Sequence, residues 1–173
     1  MNVLEGLQKV DTFIFDVDGV LTDSTVLVLE SGEMARRMHI KDGYALQLAI
    51  KKGYRIFIVS GSSPSAVAQR LNYLGIKDVF FKVKDKKTFV ADLAREHGFD
   101  LNNAMFMGDD MPDLPVFDIV GLAACPADAV TELKIAAGYI AFKPGGEGCV
   151  REVIEKVLKI RGDWQETTSV AST

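Results

Sequence analysis

The feature of this chain that most limits how it can fold is an alternation. Short apolar runs stand at 12–16 (TFIFD), 55–60 (RIFIVS), 78–81 (DVFF), 104–108 (AMFMG) and 120–124 (VGLAA). Stretches with helical spacing stand between them at 42–53, 63–75, 86–98 and 110–120, and a last one, 151–160, follows. Runs that are apolar throughout, rather than at every second position, suit strands covered on both faces. Strands that alternate with helices are joined by crossovers, which makes them parallel. The pattern therefore predicts an α/β fold, a Rossmann-like parallel sheet with helices on both faces. Gly75 and Gly98 stand where the second and third helices should stop, since glycine readily takes the left-handed backbone that ends a helix.

One segment breaks the alternation. Residues 24–40 (STVLVLESGEMARRMHI) carry two β-rich arms around Glu30-Ser31-Gly32-Glu33, which reads as a β-hairpin flap after the first strand. Its second arm sets Met34, Arg36, Met38 and Ile40 on one side and Arg37 and His39 on the other. Residues 1–161 read as one domain, and the polar tail 162–173 (GDWQETTSVAST) is expected to be mobile.

Composition narrows the function classes. With 173 residues, 48% of them hydrophobic and 25% charged, the chain is large enough to bury a core of its own. No apolar run approaches the roughly 20 residues that span a bilayer, and the start, MNVLEGLQKV, has neither the basic stretch nor the apolar run of a signal peptide. A cytoplasmic protein without a membrane partner is expected. The net charge of −4 leaves no cationic surplus for a nucleic-acid backbone. Cys125 and Cys149 have no metal-type spacing and are expected to be reduced, buried thiols.

In a parallel sheet the residues that follow the strands converge on one edge, where ligands bind. Here they are Asp16 and Asp18 after the first strand, Ser60-Gly61 after the second, Lys86 opening the helix after the third, and Gly108-Asp109-Asp110 with Asp113 after the fourth. Taken singly, each has an ordinary structural reading. A DxD pair can be a solvated loop, GDD a turn with Asp110 as helix cap, Ser60 a turn residue, and Lys86, amid KVKDKK, part of a solvated face. Their occurrence together, in order, at strand ends points to chemistry. Clustered carboxylates without soft ligands suit Mg²⁺, which also binds phosphate oxygens. Asp16 could then attack phosphorus as a nucleophile, and Asp18 could exchange protons with the leaving oxygen and with water. Ser60 and Lys86 could hold the transferring phosphoryl oxygens, and Gly61 lets a backbone N–H come close.

The stretches DVDGVLTD (16–23), VSG ending at Gly61, Lys86 and GDDMPD (108–113) resemble, in order, the four motifs of the haloacid-dehalogenase superfamily of phosphohydrolases. The short hairpin, KDGYALQL (41–48) and GGEGCVREV (145–153) look like its capless subgroup, which acts on eight- and nine-carbon ulosonate phosphates. The resemblance implies Asp16 as nucleophile, Asp18 as general acid and base, and Ser60 and Lys86 as phosphate ligands. It implies Mg²⁺ on Asp16, Asp109 and the Asp18 carbonyl, with Asp110 and Asp113 in support.

The resemblance also implies a substrate, 3-deoxy-D-manno-octulosonate 8-phosphate from lipopolysaccharide synthesis, with a nine-carbon ulosonate 9-phosphate as the alternative. Ser62 departs from the Arg or Glu found there in the two substrate groups, whereas Arg70 matches a basic position suited to the sugar carboxylate. Lys143 and Arg151 are further candidates for anionic groups. The subgroup forms homotetramers in which the hairpin helps cover a neighbour's site; a hairpin folded onto its own domain is the other option. A receiver-type phospho-switch shares the fold, the acids, the Ser/Thr and the Lys. It places adjacent acids after its first strand and the phosphorylated Asp after its third, unlike this chain.

Overall fold

The computed structural model describes residues 2–164. Eight strands are present: β1 (Thr12–Phe15), β2 (Leu27–Val28), β3 (Met34–Ala35), β4 (Arg55–Val59), β5 (Asp78–Phe80), β6 (Ala104–Met107), β7 (Leu122–Cys125) and β8 (Tyr139–Ile140). Seven helices accompany them: α1 (Val3–Lys9), α2 (Ile40–Lys51), α3 (Ala66–Tyr73), α4 (Lys86–His97), α5 (Leu114–Phe117), α6 (Thr131–Ala136) and α7 (Cys149–Ile160). Six strands form one sheet in the order β5-β4-β1-β6-β7-β8, and every pairing in it is parallel. The expected α/β architecture is what the chain adopts.

Alternation along the strands divides the core. Phe13, Phe15, Ile56, Ile58, Met105 and Met107 point to a layer shared with α1, α2, α3 and α7. Ile14, Phe57, Val59 and Phe106 point to the opposite layer, with α4, α5 and α6. Each of these strand side chains is buried, so both faces of the sheet are apolar. Gly75 and Gly98 follow α3 and α4 with φ of 89° and 64°, ending those helices as expected.

Two expectations need correction. The helix expected over 110–120 is a tight turn at Met111–Asp113 followed by the four-residue α5. Pro112 and Pro115 lack the N–H that a continuous helix needs. The hairpin is shallower than its sequence suggests, since its ladder is Leu27–Val28 against Met34–Ala35, with one isolated bridge from Met38 to Thr22. Of the four residues on one side of the second arm, Met38 packs on the core and Arg36 is largely covered, while Met34 and Ile40 are exposed. Within the expected tail 162–173, Asp163 and Trp164 make side-chain contacts with the domain. Trp164 meets the Tyr44 ring edge-on at 6.1 Å and lies under the Arg151 guanidinium, and the Asp163 carboxylate accepts a 2.6 Å bond from the Tyr54 hydroxyl. Residues 165–173 lie outside the described residues.

Two contacts brace the edge where the strands end. Asp42, in the first turn of α2, accepts a 2.7 Å hydrogen bond from the Arg151 N–H at the start of α7. The loop before α7 packs backbone to backbone against the turn after β1: the Gly146 N–H donates to the Val20 carbonyl at 3.0 Å, and a Cβ on Gly145 would lie 1.9 Å from the Gly19 carbonyl oxygen.

Candidate active site

β1 lies between β4 and β6, so the residues that follow these three strands stand side by side at a topological switch point. They line a crevice of about 530 Å³ that holds Asp16, Asp18, Ser60, Gly61, Lys86, Asp109, Asp110 and Asp113. The predicted acids, serine and lysine thus share one site.

At its floor Asp16 is buried and held at both oxygens. Oδ1 accepts from the Val17 N–H at 2.6 Å, and Oδ2 lies 2.9 Å from Lys86 Nζ. Lys86 also donates to Asp113 Oδ1 at 2.6 Å, while Asp113 Oδ2 accepts from the Asp109 N–H at 3.1 Å. Asp113 therefore joins Lys86 to the loop carrying Asp109. Burial, and then the Asp113 charge, push the Asp16 carboxyl up to about 7 against the pull of Lys86. Burial, followed by Asp113 and Asp110, does the same to Asp109, also to about 7. Burial pulls the Lys86 ammonium down, but Asp16 and Asp113 outweigh it and leave its pKa raised.

Oxygens of Asp16, Asp109 and Asp113 lie within 4.8 Å of one another. Three hard donors this close, two of them pushed toward protonation by their surroundings, fit a small divalent cation. Gly19 leaves room for the arrangement: its φ is 81°, and a Cβ there would strike Asp109 Oδ2 at 1.8 Å.

Ser60 is buried at the end of β4, with its Oγ 2.8 Å from Ser62 Oγ and accepting from the Ser62 N–H at 3.1 Å. Ser62, singled out as a departure, lines the crevice itself. Gly61 meets nothing in the protein that demands glycine, since an added Cβ would only touch the Val83 carbonyl at 3.5 Å. Asp110 is exposed and caps the turn that follows, accepting from the Met111 N–H and forming a capping box with Asp113. It stands outside the carboxylate triad.

The structure does not bring Arg70 into this crevice. α3 sets it in a separate cavity of about 170 Å³, beside Asp42, Gly43 and Leu74. Lys143 and Arg151 also stand apart, in a groove between α1 and α7. Three contributors escaped the sequence reading. Ser24 reaches Asp109 Oδ2 at 3.4 Å, and Lys84 lines the crevice. Arg36 reaches back from the hairpin to the Asp18 carboxylate. For Arg36 the signal was its place on the same side of the arm as Met38.

Residues 75–152 match the family model of haloacid dehalogenase-like hydrolases. A Salmonella typhi 3-deoxy-D-manno-octulosonate 8-phosphate phosphatase is 31% identical over 165 residues, covering 95% of this chain and 88% of the relative. The chain belongs to the haloacid-dehalogenase superfamily of hydrolases. Among solved members of the superfamily, the Yersinia pestis 3-deoxy-D-manno-octulosonate 8-phosphate phosphatase superposes with a TM-score of 0.90 at 29% identity, covering 94% of this chain and 88% of that one. The Moraxella catarrhalis enzyme of the same name, solved with magnesium, phosphate and KDO, gives 0.90 at 29% identity, with 93% and 92% covered. With these relatives, the chain is a superfamily hydrolase of the phosphoric monoester type.

Proposed function

We propose that the chain releases phosphate from 3-deoxy-D-manno-octulosonate 8-phosphate through an aspartyl phosphate on Asp16. The observation that carries the mechanism is the setting of that carboxylate: fixed between the Val17 N–H and Lys86 at the floor of the crevice, two residues before Asp18. The substrate comes from the similarity over 95% of the chain to phosphatases of that name. Asp16 attacks phosphorus, the bond from phosphorus to the sugar oxygen breaks, and that oxygen takes a proton from Asp18. Water then attacks the phosphoryl group and gives its proton to Asp18. The bond to Asp16 breaks and inorganic phosphate leaves. Ser60, the Gly61 N–H and Lys86 hold the equatorial oxygens.

Asp16, Asp109 and the Asp18 carbonyl are the proposed Mg²⁺ ligands, with Asp113 and Asp110 supporting them. The cation supplies positive charge against the phosphoryl oxygens and keeps Asp16 ionised. Arg70 has no place in its own chain's crevice. Its proposed contact with the sugar carboxylate therefore belongs to an assembled homotetramer, in which hairpins reach neighbouring sites. Residues 1–161 act as one catalytic unit. The free, buried Cys125 and Cys149 suit a reducing compartment such as the cytoplasm.

The test is kcat/KM for phosphate release with Mg²⁺ on the eight-carbon 8-phosphate and on a nine-carbon ulosonate 9-phosphate. A preference of about 100-fold for the first, equivalent to about 2.7 kcal/mol of transition-state binding, is expected. The reverse preference would move the assignment to the nine-carbon sugar and make Ser62 a specificity residue. Asp16→Asn should lose roughly 10³-fold or more with either ester.

A further inference from the structure

The hairpin is exposed along both of its short strands, yet one charged side chain on it is largely covered. Leu27, Val28 and Met34 are 65%, 63% and 56% exposed, whereas the Arg36 side chain is 11% exposed. Arg36 stands two residues before Met38, on the same side of the arm, and follows it inward. Its Nε donates to Asp18 Oδ1 at 2.5 Å, and its Nη2 lies 3.4 Å from Asp18 Oδ2. These are the only hydrogen bonds to that carboxylate among the described residues. A guanidinium that addresses both oxygens fixes the rotation of the carboxylate as well as its place.

Seating the hairpin does not require this contact. Thr22 bridges Met38, Met38 packs on the core, and Arg37 pairs with Asp23 at 2.9 Å and Glu147 at 3.0 Å. With Asp18 40% exposed, the ion pair adds little to stability. What it does is orient.

We propose that Arg36 is a positioning residue for Asp18, through which the hairpin presents that carboxyl to the leaving oxygen. The proposal rests on the phosphatase reading and on the acid–base role of Asp18 given above. Oδ1 takes the shorter contact, from Nε, which leaves Oδ2, at 3.4 Å from Nη2, as the oxygen that carries the proton across. In the first step the phosphorus–oxygen bond to the sugar breaks while the proton passes from Oδ2 to that oxygen. A sugar alkoxide is a poor leaving group and needs the proton, whereas p-nitrophenolate leaves without it. Arg36 therefore matters for one class of ester and not the other.

The experiment compares kcat/KM, which reports steps through formation of the aspartyl phosphate, for 3-deoxy-D-manno-octulosonate 8-phosphate and p-nitrophenyl phosphate. Arg36→Gln should lower it about 10- to 100-fold for the sugar ester and less than about threefold for the nitrophenyl ester. Arg36→Lys, which keeps the charge but not the fork, should recover part of the loss. Asp18→Asn should show the same bias, enlarged. Equal loss with both esters, or no loss with either, in folded Arg36 variants would overturn the proposal while leaving the Asp18 role standing. Absence of the bias in Asp18→Asn would overturn that role and the proposal with it.

Discussion

Asp42 is 2% exposed, and while its Oδ1 accepts from Arg151, its Oδ2 has no hydrogen-bond partner. Burial pushes its carboxyl from the ordinary 3.8 up to about 7, with the Arg151 N–H and charge pulling the other way. A raised folded-state pKa means that the fold prefers the protonated acid. The stabilisation is complete below about pH 4 and is lost as pH rises through about 7. Asp42→Asn keeps the accepting oxygen and removes the charge, so the variant should gain on the wild type between those limits, by up to roughly 4 kcal/mol. Urea unfolding of both proteins at pH 4 and pH 8 checks this, and an equal difference at the two values would mean that Asp42 does not titrate in the fold. At this scale the sequence was readable wherever a residue's place in a motif was also its place at a strand end, as for Asp16, Ser60 and Asp109. Arg36 showed only its side of the arm and Asp42 nothing, because their meaning lies in contacts with residues 18 and 109 positions away in the chain.

The elements show the same division. Unbroken apolar runs and the helices closed by Gly75 and Gly98 were legible in the sequence, while α6 and β8, of six and two residues, are too short to carry a pattern. The loop before α7 was legible only as a family-like stretch of glycines, yet it positions the site. Gly145 presses on the carbonyl of Gly19, the residue after Asp18, and backbone cannot step aside as a side chain can. Gly145→Ala should cost about 1–3 kcal/mol through overpacking. It should also slow phosphate release by disturbing the turn that carries Asp18. Thermal unfolding alongside kcat measures both effects, and full activity in a destabilised variant would separate the loop from the catalytic turn.

For the molecule as a whole, the exposed Leu27 and Val28 of the hairpin are apolar surface that the proposed assembly would cover. In the proposed homotetramer, Leu27→Asp combined with Val28→Asp should shift the mass measured by light scattering toward smaller species. An unchanged mass would place the contact elsewhere. The order of the sheet has another consequence, for behaviour in concentrated solution. Its two rims, β5 and β8, are three and two residues long, and the first opens with Asp78. Short, charge-marked rims offer a passing chain little backbone on which to extend the sheet. The apolar runs of the four inner strands, β4, β1, β6 and β7, which would otherwise be open to cross-β pairing, are each flanked on both sides by another strand of the same sheet.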